Sequence, residues 1–208
     1  MKLYYTPGAC SLASHISLRE AGIDFEGVQV DLRSKKTADG KDFTTINSKG
    51  YVPALQLDDG ELLTENIAIL QYIGDQKPDR KLAPPAGSRE RYRLVEWLAF
   101  ISTELHKGFS PFFNPATPDA YKGIARDRLV LRLDWLEKQL GSKQYLMGDQ
   151  FTVADAYLFT ILSWSGAAGL DLARWSGLKQ YFDRVAARPA VEQARQAGVA
   201  CIVAAGNS

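Results

Sequence analysis

The sequence predicts an α/β half followed by an all-α half, and three observations carry that prediction. Strand-like and helix-like patterns alternate from residue 2 to residue 73. A stretch rich in proline and charge, residues 77–87, then has almost no apolar period. Beyond it, apolar residues recur only at helical spacing.

Lys2 to Thr6 is a short aromatic-rich run closed by Pro7-Gly8, a strand and its turn. From Ser11 the spacing of Leu12 and Ile16 predicts a helix that leaves Ser14, Arg19 and Glu20 in water and stops at Gly22. Val28, Val30 and Leu32 alternate with Gln29 and Asp31, the two-residue period of a half-buried strand. After a polar connection, residues 34–50, the runs Val52 to Leu57 and Leu62 to Thr64 flank Asp58-Asp59-Gly60, a hairpin signal. Ile67 to Ile73 is too apolar and too long for an edge strand, and Ile69, Leu70 and Ile73 share one helical face.

The expected organisation is a first domain over residues 1–80, a linker over 81–87 and a helical domain over 88–208. Leu94, Trp97, Leu98, Ile101 and Leu105 form one stripe, which Pro111, Pro115 and Pro118 interrupt. Leu129, Leu133, Leu136 and Leu140 mark a second helix ending near Gly141. Thr152 followed by Asp155 is a capping-box pattern that opens a third. Ala156 to Leu170 reads as a buried helix, shorter than the ~20 residues that span a bilayer. A last helix carries Leu178, Tyr181, Phe182 and Val185 before Pro189.

Composition narrows the function classes. With 208 residues, 46% hydrophobic and 24% charged, the chain is of ordinary globular type. Its net charge of +1 argues against nucleic acid as a partner, which takes a broad basic face. Nine basic against twelve acidic residues up to residue 80, and sixteen against twelve beyond, leave a mild asymmetry that would help halves of two subunits attract. The first residues lack the apolar run of a signal peptide, so a cytoplasmic protein with no membrane partner is expected. Two cysteines, Cys10 and Cys201, and two histidines are too few for a disulfide scaffold or a zinc cage, so no metal is expected.

Cys10 falls between a strand-turn and the first turn of a helix, where amide N–H groups and the helix dipole favour an anion and lower a thiol pKa. The plainer reading is a small buried apolar residue. Position 13 is Ala13, which disfavours dithiol cycling. Val52-Pro53 has trans as its default; a cis bond would expose the Val52 backbone to an extended peptide. At Glu65-Asn66 a strand meets a helix. Either Asn66 or Thr64 is a cap, or the helix amides and Glu65 together hold a carboxylate and an ammonium, the two charges of an α-amino acid group. His106 and Lys35 read, each by itself, as solvated or satisfied side chains.

Four motifs point further when taken together: Tyr-Thr-Pro-Gly-Ala-Cys-Ser-Leu-Ala at 5–13, Gly-Tyr-Val-Pro-Ala-Leu at 50–55, Leu-Thr-Glu-Asn at 63–66 and Thr-Glu-Leu-His-Lys-Gly-Phe at 103–109. The chain resembles, over essentially its whole length, a bacterial cytosolic glutathione transferase of the beta class. That resemblance implies a thioredoxin-like N-terminal domain that binds glutathione, an all-helical C-terminal domain forming most of the second-substrate pocket, and a homodimer. It also implies site roles. The Val52 backbone, before a cis Pro53, would pair with the cysteinyl part of glutathione, Glu65 and Asn66 would hold its γ-glutamyl end, and Lys35 would approach its glycyl carboxylate. Cys10 would sit beside the glutathione sulfur, and His106 and Lys107 would line the cleft. Thr103, Glu104 and Leu105 complete the set, Glu104 reaching toward the neighbouring subunit. Where the family often has asparagine, this chain has Ala99, which removes a polar contact near the thiol.

The implied chemistry is ionisation of the glutathione thiol by converging donors, followed by attack on an electrophilic carbon. The Cys10 thiol, the Cys10 and Ser11 amides and His106 are the candidate donors, with the Tyr5 and Ser11 hydroxyls as rivals. Apolar electrophiles, halogenated aromatics among them, are the expected second substrates. Two alternatives stand beside this reading: a glutathione-dependent thiol-disulfide oxidoreductase using Cys10 in a mixed disulfide, and a non-catalytic carrier of apolar ligands.

Overall fold

The computed structural model of the chain describes residues 1–205, and side chains over residues 1–197. Cys201 therefore lies outside the described side chains. The first half holds β1 (Lys2–Tyr5), α1 (Ser11–Ala21), β2 (Glu26–Asp31), β3 (Lys36–Thr37), β4 (Ala54–Gln56), β5 (Leu62–Thr64) and α2 (Asn66–Gln76). The five strands form one sheet in the order β3-β2-β1-β4-β5, with β1 and β2 parallel and the other pairs antiparallel. This is a thioredoxin-like arrangement in which α1 makes the β1-to-β2 crossover.

Alternation along the strands divides the apolar residues between two faces. Leu3, Tyr5 and Leu55 join the main core with Ile16, Ile69 and Ile73. Tyr4, Val30 and Ala54 pack on the opposite face against Phe43 and Val52. The strand β3 carried no apolar signal, because only Thr37 of its two residues is buried.

The second half is helical: α3 (Arg89–Phe100), a π-helical segment (Ile101–His106), α4 (Lys107–Phe113), α5 (Asp119–Leu140), α6 (Val153–Leu162), α7 (Ser176–Ala186) and α8 (Pro189–Ala205). Its leucine stripes enter the same core as the first half, Leu94, Leu98 and Leu158 packing with Ile16 and Leu70. Polar ties also cross between the halves. Arg188 grips Glu20 through Nε and Nη2 at 2.6 and 2.8 Å, Arg91 pairs with Asp75, and the Val153 N–H donates to the Leu82 carbonyl at 3.0 Å.

Several expectations need correcting. Ser14 is not in water; it is fully buried, because α1 is covered by α2 and α6, and its hydroxyl donates to Asn66 Oδ1 at 2.8 Å. Pro111 does not interrupt the helical path but sits inside α4, which runs on to Phe113. Ala156 to Leu170 is helical only as far as Leu162, where a short 3-10 turn, Ser165–Ala168, follows and Gly169 turns left-handed at φ 66°. Pro189 does not close the helical half; it opens α8, where its missing N–H costs nothing. The Val52–Pro53 bond is cis, against the trans default and as the family resemblance implies.

The Thr152–Asp155 capping box forms, and Asp155 does more than cap. Its Oδ2 accepts from the Thr152 N–H at 2.8 Å and the Thr152 hydroxyl at 2.9 Å. Its Oδ1 accepts from the Leu146 N–H at 2.9 Å and the Tyr181 hydroxyl at 3.0 Å. One buried carboxylate thus fastens α6 to α7 and to the loop before α6, and burial raises its pKa.

Candidate active site

A cavity of about 730 Å³ opens where the two halves meet. The first half contributes the turn from Pro7 to Cys10, the segment from Tyr51 to Pro53, and the junction of β5 with α2 at Thr64, Glu65, Asn66 and Ile67. The second half contributes Ser102, His106, Lys107, Ser110 and Phe113 from the α3–α4 path, with Tyr157 and Trp164 beyond. The mouth is pinned across the halves by Trp164, whose Nε1–H donates to the Gly8 carbonyl at 2.8 Å.

Cys10 stands at the N-terminus of α1 and lines the cleft. Its thiol donates to the Val52 carbonyl at 3.3 Å. The lowered pKa expected from the helix N-terminus is not what results. Burial of the sulfur pushes the thiol up to about 11, outweighing the Cys10 and Ser11 N–H groups and the Lys107 ammonium, which pull it down. Cys10 is therefore a protonated donor at neutral pH. The charge that those groups favour remains available to another anion in the cleft.

A polar pole lies at the α2 end. Glu65, in a left-handed conformation at φ 70°, is the residue before the helix, and α2 starts with no side-chain cap. The capping reading of Asn66 and Thr64 thus fails: the Asn66 carboxamide accepts from Ser14 and donates to the Cys10 carbonyl at 3.2 Å, and Thr64 Oγ1 accepts from Lys49 at 2.9 Å. Lys49 Nζ also pairs with Glu65 at 2.6 Å. An acid, an ammonium and uncapped helix amides therefore share one end of the cleft, a donor set that fits the two charges of an α-amino acid group.

The opposite wall is aromatic. The His106 ring meets Trp164 edge-on at 5.0 Å between centroids, and Phe113 meets Trp164 at 5.2 Å. His106 Nδ1 lies 2.7 Å from the Tyr157 hydroxyl. Burial lowers the His106 pKa to about 4, with Lys107 adding to the effect, so the ring is neutral at pH 7.

Of the residues singled out from sequence, Cys10, Val52, Pro53, Glu65, Asn66, His106 and Lys107 come together on the cleft wall. The others lie off it. The Tyr5 ring packs edge-on against His15 at 5.4 Å. Ser11 is fully buried and its hydroxyl exchanges hydrogen bonds with the Thr6 backbone, closing the turn. Lys35 gives its ammonium to the Gly50 carbonyl at 3.0 Å, behind the Tyr51 ring. Leu105 is core, and Glu104 pairs with Arg132 at 2.6 Å. Ala99 and Thr103 are exposed on the outer side, joined by a hydrogen bond from the Thr103 hydroxyl to the Ala99 carbonyl.

Sequence reasoning missed Ser102, Ser110, Lys49 and Tyr157. The first two carried a signal, since Ser102, His106 and Ser110 recur every four residues on one helical face. Tyr157 lay hidden in an apolar run. Among the described residues, no group of three or more His, Cys, Asp or Glu could hold a metal ion, and no helix is long and apolar enough to cross a membrane.

Comparison with known proteins gives a consistent result. Residues 1–75 match the family model of the glutathione S-transferase N-terminal domain, and residues 100–189 match that of the C-terminal domain. The chain is 50% identical to glutathione S-transferase GstA of Escherichia coli O157:H7 over 197 residues, 95% of this chain and 98% of the relative. A sphingomonad glutathione S-transferase structure complexed with glutathione is 50% identical and superposes with a TM-score of 0.93, covering 95% of this chain and 98% of that one. The beta-class glutathione S-transferase structure of Sphingomonas chungbukensis is 49% identical, with a TM-score of 0.92 over the same shares.

Proposed function

The chain belongs to the glutathione S-transferase family and to its bacterial beta class, and on that premise we propose how its cleft works. The enzyme joins the thiol sulfur of glutathione, its co-substrate, to an electrophilic carbon. One observation carries the residue-level reading: a single cleft has a charged pole at Glu65, Lys49 and the α2 amides, an aromatic pole at His106, Phe113 and Trp164, and Cys10 on its wall.

The γ-glutamyl end of glutathione is assigned to the charged pole, its carboxylate to the α2 amides and its ammonium to Glu65, with Asn66 holding that junction in place. The extended tripeptide then runs past Val52 and Pro53, and Lys35, once released from the Gly50 carbonyl, gives the glycyl carboxylate a cationic end. This places the sulfur near the start of α1. There the Cys10 and Ser11 amides, Lys107 and the protonated Cys10 thiol, once it turns from the Val52 carbonyl, favour the thiolate over the thiol. The thiol loses its proton to solvent, a sulfur–carbon bond forms and the leaving group departs. Binding glutathione by its ends keeps the sulfur free for that step.

Flat apolar electrophiles, halogenated aromatics included, fit the aromatic pole. We assign the glutathione-binding domain to residues 1–80, the linker to 81–87 and the helical domain to 88–208. The enzyme works as a cytoplasmic homodimer. Support for pairing comes from the outer faces of α3 and α5, where Tyr92, Leu131 and Trp135 are exposed and Trp135 packs on Trp97 and Phe100. The test is initial-rate conjugation of a chlorinated nitroaromatic by glutathione and by cysteinylglycine. Turnover with glutathione, at least about tenfold above that with the dipeptide, is expected from the charged pole. Equal rates with both thiols would overturn the assignment.

A further inference from the structure

We propose that Tyr157 is a positioning residue for the transferase reaction: its phenol donates to His106 Nδ1 and so fixes His106 as the Nε2–H tautomer, a hydrogen-bond donor and not a base. The proposal rests on the transferase reading above but concerns a residue that reading does not use.

The direction of the Tyr157–His106 hydrogen bond decides what His106 can do. A neutral imidazole has one N–H and one acceptor nitrogen, so the group on Nδ1 sets the state of Nε2. The chemistry of the two partners gives the direction: a phenol O–H is more acidic than the N–H of a neutral imidazole, and the imidazole nitrogen is the better acceptor, so the phenol proton goes to His106 Nδ1, 2.7 Å away. The buried Tyr157 side chain, 1% exposed, keeps that proton, because burial raises its pKa and the facing Glu65 carboxylate adds to the rise.

The consequence is a hydrogen bond directed from α6 to the cleft, Tyr157 to His106, beside a second that joins α1 to α2, Ser14 to Asn66. The titratable groups facing it are Cys10, Glu65 and Lys107. Lys107 beside the ring further disfavours an imidazolium. His106 then adds to the donors around a developing thiolate or leaving group, and the proton of the glutathione thiol has to leave by solvent.

The imidazole nitrogens report this directly by nitrogen-15 NMR, and with only two histidines in the chain a His106→Asn variant assigns the signals. At pH 7.5 we expect His106 with an unprotonated Nδ1 and a protonated Nε2. In Tyr157→Phe, which removes one oxygen and keeps the ring, we expect a mixture of tautomers. Conjugation kcat should fall about fivefold to tenfold, with the glutathione KM within twofold. A protonated Nδ1 in the unmodified protein, or an unchanged His106 spectrum in Tyr157→Phe, would overturn the proposal. The unmodified protein's spectrum decides even where the variant folds poorly. The expected tautomer without any conjugation would instead overturn the transferase reading, and with it the role in catalysis.

Discussion

The Cys10 thiol donates to the Val52 carbonyl across 3.3 Å, joining the start of α1 to the segment before Pro53. With its pKa at about 11, the thiol stays protonated through the neutral range. Alkylation of Cys10 by iodoacetamide, followed by peptide mass mapping to separate it from Cys201, should therefore be slow at pH 7.5 and quicken about tenfold per pH unit up to about pH 11. A rate that levels off near pH 7 would mean a thiolate.

Glu65 carries the anionic half of the charged pole, and it is exposed enough for a ligand to reach. Glu65→Gln should raise the glutathione KM about tenfold and change kcat less, in line with loss of a charge-assisted contact of about 1.5 kcal/mol. Initial rates over a glutathione series check this. The exposed Lys49–Glu65 pair adds only about 0.5 kcal/mol or less to folding, so stability should barely change.

Trp164 ties the aromatic pole to the Pro7–Gly8 turn. Trp164→Phe keeps a ring but loses the donor. The KM for the electrophile should rise about threefold to tenfold while that for glutathione stays within twofold. Folding stability should drop by about 1 kcal/mol, the usual net value of such a bond. Kinetics with both substrates varied separate the two effects.

His15, 3% exposed, accepts from Arg19 Nε at 3.0 Å, and burial with the Arg19 charge lowers its pKa to about 4. The unfolded chain takes up that proton near pH 6.5 and the folded one does not. The stability His15 contributes is thus complete above pH 6.5 and is lost as pH falls toward 4. Between pH 7 and 5 the loss should be about 2 kcal/mol. Urea unfolding at pH 7 and pH 5, with His15→Gln showing a flatter dependence, measures it.

Asp155 accepts four hydrogen bonds from Thr152, Leu146 and Tyr181 while fully buried. Asp155→Ala strands those donors and should cost about 3 to 5 kcal/mol, seen as a fall in Tm of about 10 °C.

The fold was legible where pattern and burial coincide. The hairpin at Asp58-Asp59-Gly60 marked β4 and β5 close to their observed bounds, and the leucine spacing from Leu129 to Leu140 marked the end of α5 but not its start at Asp119, where the helix is exposed and carries no stripe. Ser14 misled because a polar residue on a two-sided helix reads as solvated, whereas its partner Asn66 comes from far along the chain. The site was legible in its motifs but not in its electrostatics. Cys10 has the local setting of an acidic thiol, and only its burial in the folded chain reverses the shift. Tyr157 was invisible for a related reason. In sequence it is one more aromatic of an apolar helix, and its role depends on His106 arriving from another segment.

The most direct test of the account is conjugation of a chlorinated nitroaromatic by glutathione, measured over a pH series for the unmodified enzyme and for Cys10→Ala. If Cys10 is a protonated donor among several, the variant should keep turnover within about tenfold, and the pH midpoint of its kcat/KM should rise, since one donor to the thiolate is gone. Complete loss of turnover in the variant, or no turnover in either protein, would contradict it.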